Sequence, residues 1–417
     1  MKIVGVVAEY NPFHKGHMYH LSKIRSDFRP DGIICAMSGN FVQRGEPAIF
    51  DKWARARMAL GGGADLVFEI PTCFASSTAE IFAEAAVKLL NSTGLVNCLS
   101  FGIEEYKIEE LHTVSEILAW EPDSFKSLIK KHLKEGLSFP SAREKALLEL
   151  LSGKLPQDNL NHISELLKKP NFILAVEYLK AIKKYRMNME ILPVKREGAG
   201  YHEKDLHKKY PSASAIREYL KKNGGGEISH FLASAVPPHC AEIIKSEIER
   251  GKGPVFLENF EILMLGLLRR SLDEELRSFF DITEGLENRI KQAAKKATDL
   301  NELIGEIKSK RYPETRIQRI LIHVLLNIEK ELVASRTPNY LRVLGFSKRG
   351  LEILREIKKR SELPIIVRAA EYKKLTGSAR RMFEIDLLAS DLYSLVLPSK
   401  GMRRGGRDFS TEVIRPL

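Results

Sequence analysis

The first hundred residues alternate short apolar runs, rich in β-branched residues, with segments of helical spacing. The apolar runs lie at 2–8, 32–37, 64–70 and 97–101, and the helical segments between them include 52–60 and 77–90. Strand–helix–strand units of this length join parallel strands through right-handed crossovers. The pattern therefore predicts an α/β fold with a parallel sheet, whose ligands bind beyond the carboxyl ends of the strands.

The rest of the chain divides into a helical stretch, a returning strand and a long carboxyl-terminal part. Residues from about 105 to 187 have mainly helical periodicity, and 189–194 predicts a fifth strand. The Lys-Lys-Asn-Gly-Gly-Gly run at 221–226 has the composition of a domain boundary, and almost everything beyond it has helical period. We therefore predict one domain over 1–222, with a helical insertion at about 105–187, and a helical domain over 227–417.

Charge and composition narrow the range of partners. Lys and Arg total 66 against 54 Asp and Glu, a formal net charge of +12, which favours polyanionic partners. The apolar runs fall short of the ~18 residues that a membrane span needs. The four cysteines lie far apart in sequence, without a C-x-x-C pair, so neither a disulfide framework nor a zinc knuckle is indicated. These features predict a soluble, cytoplasmic protein with no membrane association.

The segment Asn11-Pro12-Phe13-His14-Lys15-Gly16-His17 follows the first predicted strand and contains an H-x-G-H motif. The helix that starts near Gly16 offers unpaired backbone N–H groups to an anion. The imidazoles of His14 and His17 can donate to phosphate oxygens and stabilise charge on an α-phosphate. Two solvated histidines near a helix start are the alternative. A zinc site that adds His20 is disfavoured, because no carboxylate or thiol completes it locally, so no metal-ligating residues are predicted.

This turn resembles the HxGH motif of the nucleotidylyltransferase superfamily, which shares its Rossmann-like fold with class I aminoacyl-tRNA synthetases. Those enzymes carry a second signature that opens a late helix against the phosphates, and the segment Ser212-Ala213-Ser214-Ala215-Ile216-Arg217 stands at the corresponding place after the fifth strand. The resemblance implies an α/β fold: a Rossmann-like nucleotidylyltransferase domain with a parallel sheet over 1–222, followed by a mainly helical domain. It places His14 and His17 at the α-phosphate, and Ser214 and Arg217 near the leaving phosphates.

Longer blocks resemble the bacterial tRNA(Met) cytidine acetate ligase family. They are VAEYNPFH at 7–14, MSGNFVQRGEP at 37–47 and KREGAGYH at 195–202, with KRY at 310–312 and TRIQR at 315–319 in the carboxyl-terminal part. The resemblance implies a ligase that uses ATP and acetate to form N4-acetylcytidine at the wobble position of elongator tRNA(Met). The implied intermediate is acetyl-adenylate, and AMP and pyrophosphate are released. The implied ATP contacts are Val7, Ala8, Glu9, Tyr10, Asn11, Pro12, Phe13, His14, Lys15, Gly16, His17, Met18, Tyr19, His20, Gly102, Asn171 and Arg196.

The basic stretch between residues 305 and 350 is the predicted tRNA-binding region. It holds ten Lys and Arg against four Glu, with Tyr312, Tyr340 and Phe346 interleaved, a pattern that favours RNA backbone binding. The predicted contacts are Lys310, Arg311, Arg316, Arg319, Lys348 and Arg349. The expected partners are elongator tRNA(Met), acetate and ATP, with Mg²⁺ accompanying the nucleotide. The loop after the second strand, with Asn40, Gln43 and Arg44, has either a substrate-contacting or a structural role.

Three other functions stay open. A nucleotidyltransferase for a small phosphorylated metabolite is expected to lack a long basic helical domain. A non-catalytic RNA-binding factor predicts nucleotide binding without ATP turnover. A class I aminoacyl-tRNA synthetase predicts a KMSKS-like loop, and residues 212–217 contain no lysine.

Overall fold

The structure, a computed structural model, describes residues 1–196, 211–223, 228–283 and 285–415. Its strands are β1 (Ile3–Ala8), β2 (Gly32–Ser38), β3 (Phe41–Val42), β4 (Glu46–Pro47), β5 (Leu66–Ile70), β6 (Val96–Ile103), β7 (Glu190–Lys195), β8 (Leu341–Phe346) and β9 (Ile365–Ile366).

The α-helices of the amino-terminal half are α1 (Lys15–Lys23), α2 (Lys52–Gly61), α3 (Thr72–Ala75), α4 (Ala79–Asn91), α5 (Ile108–Trp120), α6 (Asp123–Lys134), α7 (Phe139–Ser152), α8 (Gln157–Leu166), α9 (Pro170–Lys184) and α10 (Ala213–Asn223). Those that follow are α11 (Ile228–Ala235), α12 (Pro238–Glu249), α13 (Glu261–Arg270), α14 (Asp273–Arg277), α15 (Leu286–Lys296), α16 (Leu300–Ile307), α17 (Glu314–Leu325), α18 (Lys330–Ala334), α19 (Lys348–Arg360), α20 (Gly377–Leu395) and α21 (Arg407–Ser410). None of these described helices is long and apolar enough to cross a membrane.

The main sheet has the strand order β7-β6-β1-β2-β5-β8-β9 within the described residues. The first five of these strands pair in parallel. The strands β1, β2 and β5 are almost wholly buried and read as continuous apolar runs, as is typical of parallel strands covered by helices on both faces. All five strands predicted from the sequence are confirmed, and α5 to α9 lie where the helical insertion is predicted.

The order of the strands reverses at β1. The chain passes from β1 to β2 on one side and later returns to β6 on the other side. At such a point the loops that follow neighbouring strands run in opposite directions and leave a crevice beyond the carboxyl ends. The loop that begins at Glu9 opens into this crevice, which is where the sequence predicts the site.

The carboxyl-terminal part also contributes two strands to this sheet, which the helical periodicity of its sequence does not predict. The strand β8 pairs antiparallel with β5, and β9 pairs in parallel with β8. Arg342 interrupts the apolar pattern of 341–346 and hides the strand. In the structure this arginine is 2% exposed, and it donates a hydrogen bond to the backbone oxygen of Val367 at 2.9 Å.

The proposed division near residues 222–227 stays a prediction, but the core does not divide there. One continuous cluster of buried apolar side chains includes Ile3 of β1, Leu179 of α9, Ile320 of α17 and Phe383 of α20. A second cluster lies on the other face of the sheet, under α1, α2, α10 and α12. Part of the glycine run, 224–226, lies outside the described residues. The carboxyl-terminal part therefore shares both a sheet and a core with the amino-terminal part.

Buried ion pairs hold the last helix against the sheet. Lys52 of α2 is completely buried, and its Nζ donates to both carboxylate oxygens of Glu69 on β5 at 2.9 and 3.0 Å. It also donates to Asp408 of α21 at 2.9 Å. Next to this cluster, Arg407 pairs with Asp51 at 2.8 Å. Helix α21 is thereby fixed to the start of α2.

Candidate active site

A cavity of about 380 Å³ opens at the carboxyl ends of β1, β6 and β7. It brings together the four residues predicted to be catalytic, namely His14, His17, Ser214 and Arg217. Its lining also includes most of the predicted nucleotide contacts: Val7, Ala8, Glu9, Tyr10, Asn11, Gly16, Tyr19, His20, Gly102, Asn171 and Arg196. Residues from distant parts of the sequence therefore meet as the two resemblances imply.

Four other residues of the 7–20 segment lie outside the lining and support it. The ring of Phe13 is fully buried and packs so closely on Gly62 that a Cβ there would collide with it. Lys15 donates from Nζ to the backbone oxygen of Ala233 at 2.8 Å. Met18 packs against the second core cluster, and Pro12 is buried in the turn. The implied ATP contacts at these four positions stay a prediction.

Backbone hydrogen bonds fix the tautomers of both motif histidines. His14 caps α1, with its Nδ1 accepting from the Gly16 N–H at 3.0 Å. The Nδ1 of His17 accepts from the His14 N–H at 3.2 Å. Because Nδ1 accepts in each ring, the proton of the neutral imidazole is on Nε2. Gly16 is required for this packing, since a Cβ there would lie 2.8 Å from Cε1 of His14. The turn thus holds two Nε2–H donors at the cavity.

Both motif histidines are uncharged at neutral pH. Burial, assisted by the charges of Arg196 and Arg217, lowers the pKa of His14 to about 3. Burial and the neighbouring His14 lower the pKa of His17 well below its usual value. The two ring centroids are 3.8 Å apart, a separation at which two imidazolium cations would repel each other. The rings can therefore donate to an oxyanion as neutral imidazoles.

His20 has a different role from the other two histidines. The Ser100 hydroxyl donates to the backbone oxygen of Leu192 at 2.8 Å, so it accepts from Nε2 of His20, also at 2.8 Å. Burial and the charge of Arg196 lower the pKa of His20 to about 4. This side chain lines the cavity while linking α1 to β6, so it positions the helix.

The second predicted motif is joined directly to the first. The Ser212 hydroxyl accepts from the Ala215 N–H at 3.1 Å at the start of α10. Arg217 donates to the backbone oxygen of Asn11 at 2.9 Å and to the Ser214 hydroxyl at 3.3 Å. The first turn of α10 therefore faces the same space as the first turn of α1, and helix amino termini favour anions.

The nucleotide contacts predicted at Gly102, Asn171 and Arg196 meet on the β6 and β7 side of the cavity. The Arg196 N–H continues the sheet to the backbone oxygen of Ile103 at 2.8 Å, and its side chain passes over Gly102. A Cβ at Gly102 would lie 3.3 Å from Cγ of Arg196. Asn171, at the start of α9, donates to Glu104. The block at 195–202 continues from 197 outside the described residues.

The lining is strongly basic. Its described members include five cations and one carboxylate: Arg44, Lys195, Arg196, Arg217 and Arg319 against Glu9. A concave surface with this balance concentrates anions and stabilises charge that develops on a phosphate. The cavity is therefore suited to a polyphosphate ligand.

Two lining residues come from the carboxyl-terminal part, and one of them was expected elsewhere. Thr315 and Arg319 of α17 line the cavity, whereas the sequence places Arg319 on a tRNA-binding surface. Helix α17 reaches the site because Gly45, with φ +77°, lets the β3–β4 turn lie against the backbone nitrogen of Arg319. The Arg319 guanidinium makes no hydrogen bond or ion pair within the part of the chain that the structure describes.

The other predicted tRNA contacts do not converge on this cavity. Arg316 is held by Asp281 at 3.1 Å and lies over the Tyr312 ring. Lys310 and Arg311 are exposed before α17. Arg349 donates to the backbone oxygen of Asp31, which precedes β2. Lys348 and Arg349 therefore lie at the amino-terminal edge of the parallel strands, the edge opposite the cavity.

The interleaved aromatic residues do not support the predicted tRNA surface. Tyr340 is completely buried and donates its hydroxyl to Asp386, and Phe346 is 8% exposed.

The residues of the loop after the second strand differ in their surroundings. Gln43 and Arg44 line the cavity, while Asn40 is buried and donates to Ser390 at 3.2 Å.

The comparisons with known proteins agree with this geometry. The family model described as HIGH Nucleotidyl Transferase matches residues 1–408, and the chain belongs to that family.

Within it, the chain belongs to the tRNA(Met) cytidine acetate ligases. It is 44% identical over 416 residues to the tRNA(Met) cytidine acetate ligase of a Thermoanaerobacter species, with 100% of both chains covered. It is 39% identical over 419 residues to that of Acetivibrio thermocellus, covering 99% of this chain and 100% of the relative. The crystal structure of Thermotoga maritima TmcAL in its apo form matches with a TM-score of 0.94. The same protein bound with α-thio ATP matches with a TM-score of 0.92, and both are 36% identical over 100% of each chain.

Proposed function

We propose that this chain uses ATP and acetate to form N4-acetylcytidine at the wobble position of elongator tRNA(Met). The observation that carries the proposal is the meeting, in one basic cavity, of the HxGH turn, the first turn of α10 and Arg319 of α17. The names of the relatives identify tRNA(Met) and acetate as the substrates, and the structure of one relative contains α-thio ATP, which identifies the nucleotide. The site of action we propose is the cytoplasm, where tRNA and ATP are available together.

The first step activates acetate, which as a carboxylate has no leaving group. A carboxylate oxygen attacks the α-phosphorus of ATP, the bond to the β-phosphate breaks, and pyrophosphate leaves. The Nε2–H groups of His14 and His17 donate to the α-phosphate oxygens, where negative charge accumulates. Ser214 and Arg217 face the leaving phosphates. The contribution of the protein is positioning and charge stabilisation, so no covalent protein intermediate is required.

The second step transfers the acetyl group. The N4 amine of cytidine attacks the acetyl carbon of the adenylate, the bond from that carbon to the phosphate oxygen breaks, and AMP leaves. The target base has to leave its stack to reach the adenylate. The two steps share the adenylate, so the target base has to enter the cavity in which the adenylate forms.

Magnesium stays a prediction. Within the described ranges no group of three His, Cys, Asp or Glu side chains could hold a metal ion. Mg²⁺ in proteins is often held by substrate phosphates with only one or two carboxylates. Any Mg²⁺ in this reaction would therefore arrive with the nucleotide, and the steps above use only the side chains of the chain itself.

Acetate-dependent exchange of labelled pyrophosphate into ATP, measured without tRNA, tests the first step. We expect exchange with acetate present and none without a carboxylic acid. Parallel reactions with formate and propionate measure how closely the site selects the acyl group. Exchange that requires a phosphorylated metabolite in place of acetate would contradict the proposal and favour a small-molecule nucleotidyltransferase. ATP binding without any exchange would favour a non-catalytic RNA-binding factor.

Arg319 provides a test of which basic residues serve the reaction. Arg319→Ala is expected to lower kcat/KM for tRNA acetylation about 10- to 100-fold, because a hydrogen bond to a charged group contributes about 1.5–3 kcal/mol. Arg380→Ala is the matched control, since its side chain pairs with Glu384 on the surface of α20 and lies outside the cavity lining. It is expected to leave kcat/KM close to the wild-type value. Equal losses in the two variants would contradict the assignment.

A further inference from the structure

The side chains of β1 and of the loop after it point to two different faces of the sheet. Val6, Ala8 and Tyr10 pack in the core cluster under α1 and α2, on the face that carries the motif histidines. Val7 packs in the other cluster, which includes α4 and α9. Glu9 follows the alternation of Val7, and its charge acts on Tyr178 of α9. The Glu9 carboxylate is therefore on the α4 and α9 side of the cavity, away from His14 and His17.

Hydrogen bonds join three separate elements on the α4 and α9 side of the cavity, called the second side below. The Gln43 N–H donates to Oε1 of Glu9 at 2.9 Å, and its side-chain amide donates to the backbone oxygen of Ser77 at 3.2 Å. His323 of α17 is hydrogen-bonded through Nε2 to the backbone oxygen of Ser76 at 3.0 Å. The β3–β4 turn, the start of α4 and helix α17 are thus fixed around Glu9.

The second side has the components of a base-binding site. Phe82, Phe101 and Tyr178 line the cavity, and the ring centroids of Phe101 and Tyr178 are 5.8 Å apart. A base that leaves its stack is generally held against aromatic or apolar side chains and read by polar groups at its Watson–Crick edge. Glu9, whose charge acts on Tyr178, and Gln43, which binds the backbone just before the helix of Phe82, are polar groups on this side.

The carboxylate of Glu9 is out of place in a cavity for anions. ATP and acetate are both negative, and a like charge nearby opposes their binding. The chemistry of the proposed reaction includes one ligand that instead needs an acceptor, the exocyclic N4 amine of cytosine, and Glu or Asp accepting from this amine is a recurrent contact. Glu9 is the one acidic residue in the described lining. The motif histidines cannot replace it, because their acceptor nitrogens already bind backbone N–H groups.

We propose that the Glu9 carboxylate binds N4 of the target cytosine and accepts its proton during acetyl transfer. This inference rests on the proposed function. As the bond between N4 and the acetyl carbon forms, the bond from that carbon to the phosphate oxygen breaks. The AMP phosphate takes that electron pair, and the N4 proton moves to a Glu9 oxygen and then to solvent. Glu9 is a catalytic residue of the second step in this account.

The surroundings of Glu9 set the expected pH dependence. Burial raises the pKa of Glu9, opposed by the Gln43 N–H and by Arg217 and Arg44. The charged or titratable groups that face it from the neighbouring elements are Arg44 and Glu46 of the β3–β4 segment, Arg55 of α2, Tyr178 of α9, Arg217 of α10 and Arg319 of α17. Only the ionised carboxylate can accept a proton. Transfer is therefore expected to slow as pH falls through the raised pKa of Glu9 and to recover as pH rises.

The test supplies preformed acetyl-adenylate, so that ATP activation is bypassed, and measures single-turnover transfer to elongator tRNA(Met) across pH. Glu9→Gln keeps an oxygen that can accept from the Gln43 N–H but cannot take a proton. We expect transfer to fall about 100-fold or more, in the range typical of a lost general base, and its acidic limb to disappear. Glu9→Asp keeps a carboxylate and is expected to transfer more slowly than wild type with the acidic limb retained. A thermal unfolding curve for each variant confirms the folded state.

Each outcome separates the inference from the function on which it rests. Transfer by the wild type and by Glu9→Gln at equal rates, with the same pH profile, would overturn the inference alone. An acidic limb absent from folded Glu9→Asp would also overturn it. No transfer from acetyl-adenylate by the wild-type protein would overturn the proposed function and the inference with it.

Discussion

Replacing His17 with alanine is expected to lower acetate-dependent ATP–pyrophosphate exchange about 100- to 1,000-fold, the loss typical of removing one donor to a developing oxyanion. The reason is geometric. The His14 N–H fixes Nδ1 of His17, so the proton is held on Nε2 at the cavity. Burial keeps this ring neutral, because it lowers the pKa of His17 well below the usual value. The alanine variant removes this donor, while His14 still caps α1 through the Gly16 N–H.

His112→Ala is the matched control for this experiment. That residue is an exposed histidine on α5, outside the cavity lining, and its removal is expected to leave exchange at the wild-type rate. Binding of tRNA to the His17→Ala variant is expected to persist, because the exposed predicted tRNA contacts, such as Lys310 and Arg311, are unchanged. Wild-type exchange in the His17→Ala variant would contradict the role given to the HxGH turn. Loss of tRNA binding along with exchange would indicate a folding defect instead.

The second large effect concerns stability. Lys52→Met is expected to lower the free energy of unfolding by about 3–5 kcal/mol, because removing one partner leaves buried charges without compensation. Glu69 and Asp408 would remain in the core, where Lys52 now donates to both at 2.9–3.0 Å. Denaturant unfolding followed by circular dichroism measures the change. Lys23→Met is the control, since Lys23 and Asp27 form an exposed pair and its loss is expected to leave stability near the wild-type value.

The loss of unfolding free energy in the Lys52→Met variant is expected to depend on pH. Burial already raises the pKa of Glu69 to about 7, and removing the lysine removes a charge that opposes this rise. A carboxyl group with a raised pKa in the folded state binds more protons there than in the unfolded state, so stability falls as pH rises. The loss of stability should be smaller near about pH 5, where the Glu69 carboxyl is protonated, than near about pH 8. A deficit that is independent of pH would contradict the assignment of these charges.

Sequence reasoning predicts the part of the fold whose signal is local. The five parallel strands are continuous apolar runs between helical segments, and each is confirmed. The site follows from these strands, because the crevice lies where strand order reverses and the HxGH turn comes directly after β1. The residues His14, His17, Ser214 and Arg217 meet there as the motifs imply.

The missed features depend on contacts between distant segments. Arg342 interrupts the apolar pattern of β8, so the sequence does not predict that strand. Its burial is compensated by contacts with Val367 and Asp408, which are distant in sequence. Arg319 has the same local signature as Arg316, one turn earlier on α17. Gly45 packs against the backbone of Arg319, which lines the cavity, whereas Arg316 pairs with Asp281. A count of basic residues cannot separate the two.

The central claim is tested most directly by incubating the purified protein with ATP, Mg²⁺, radiolabelled acetate and elongator tRNA(Met), and by mapping the label on the RNA. The account predicts ATP-dependent label on the wobble cytidine, and none on a tRNA(Met) that carries another base there. Label at that cytidine without ATP, or ATP consumption with acetate that leaves the tRNA unlabelled, would contradict it.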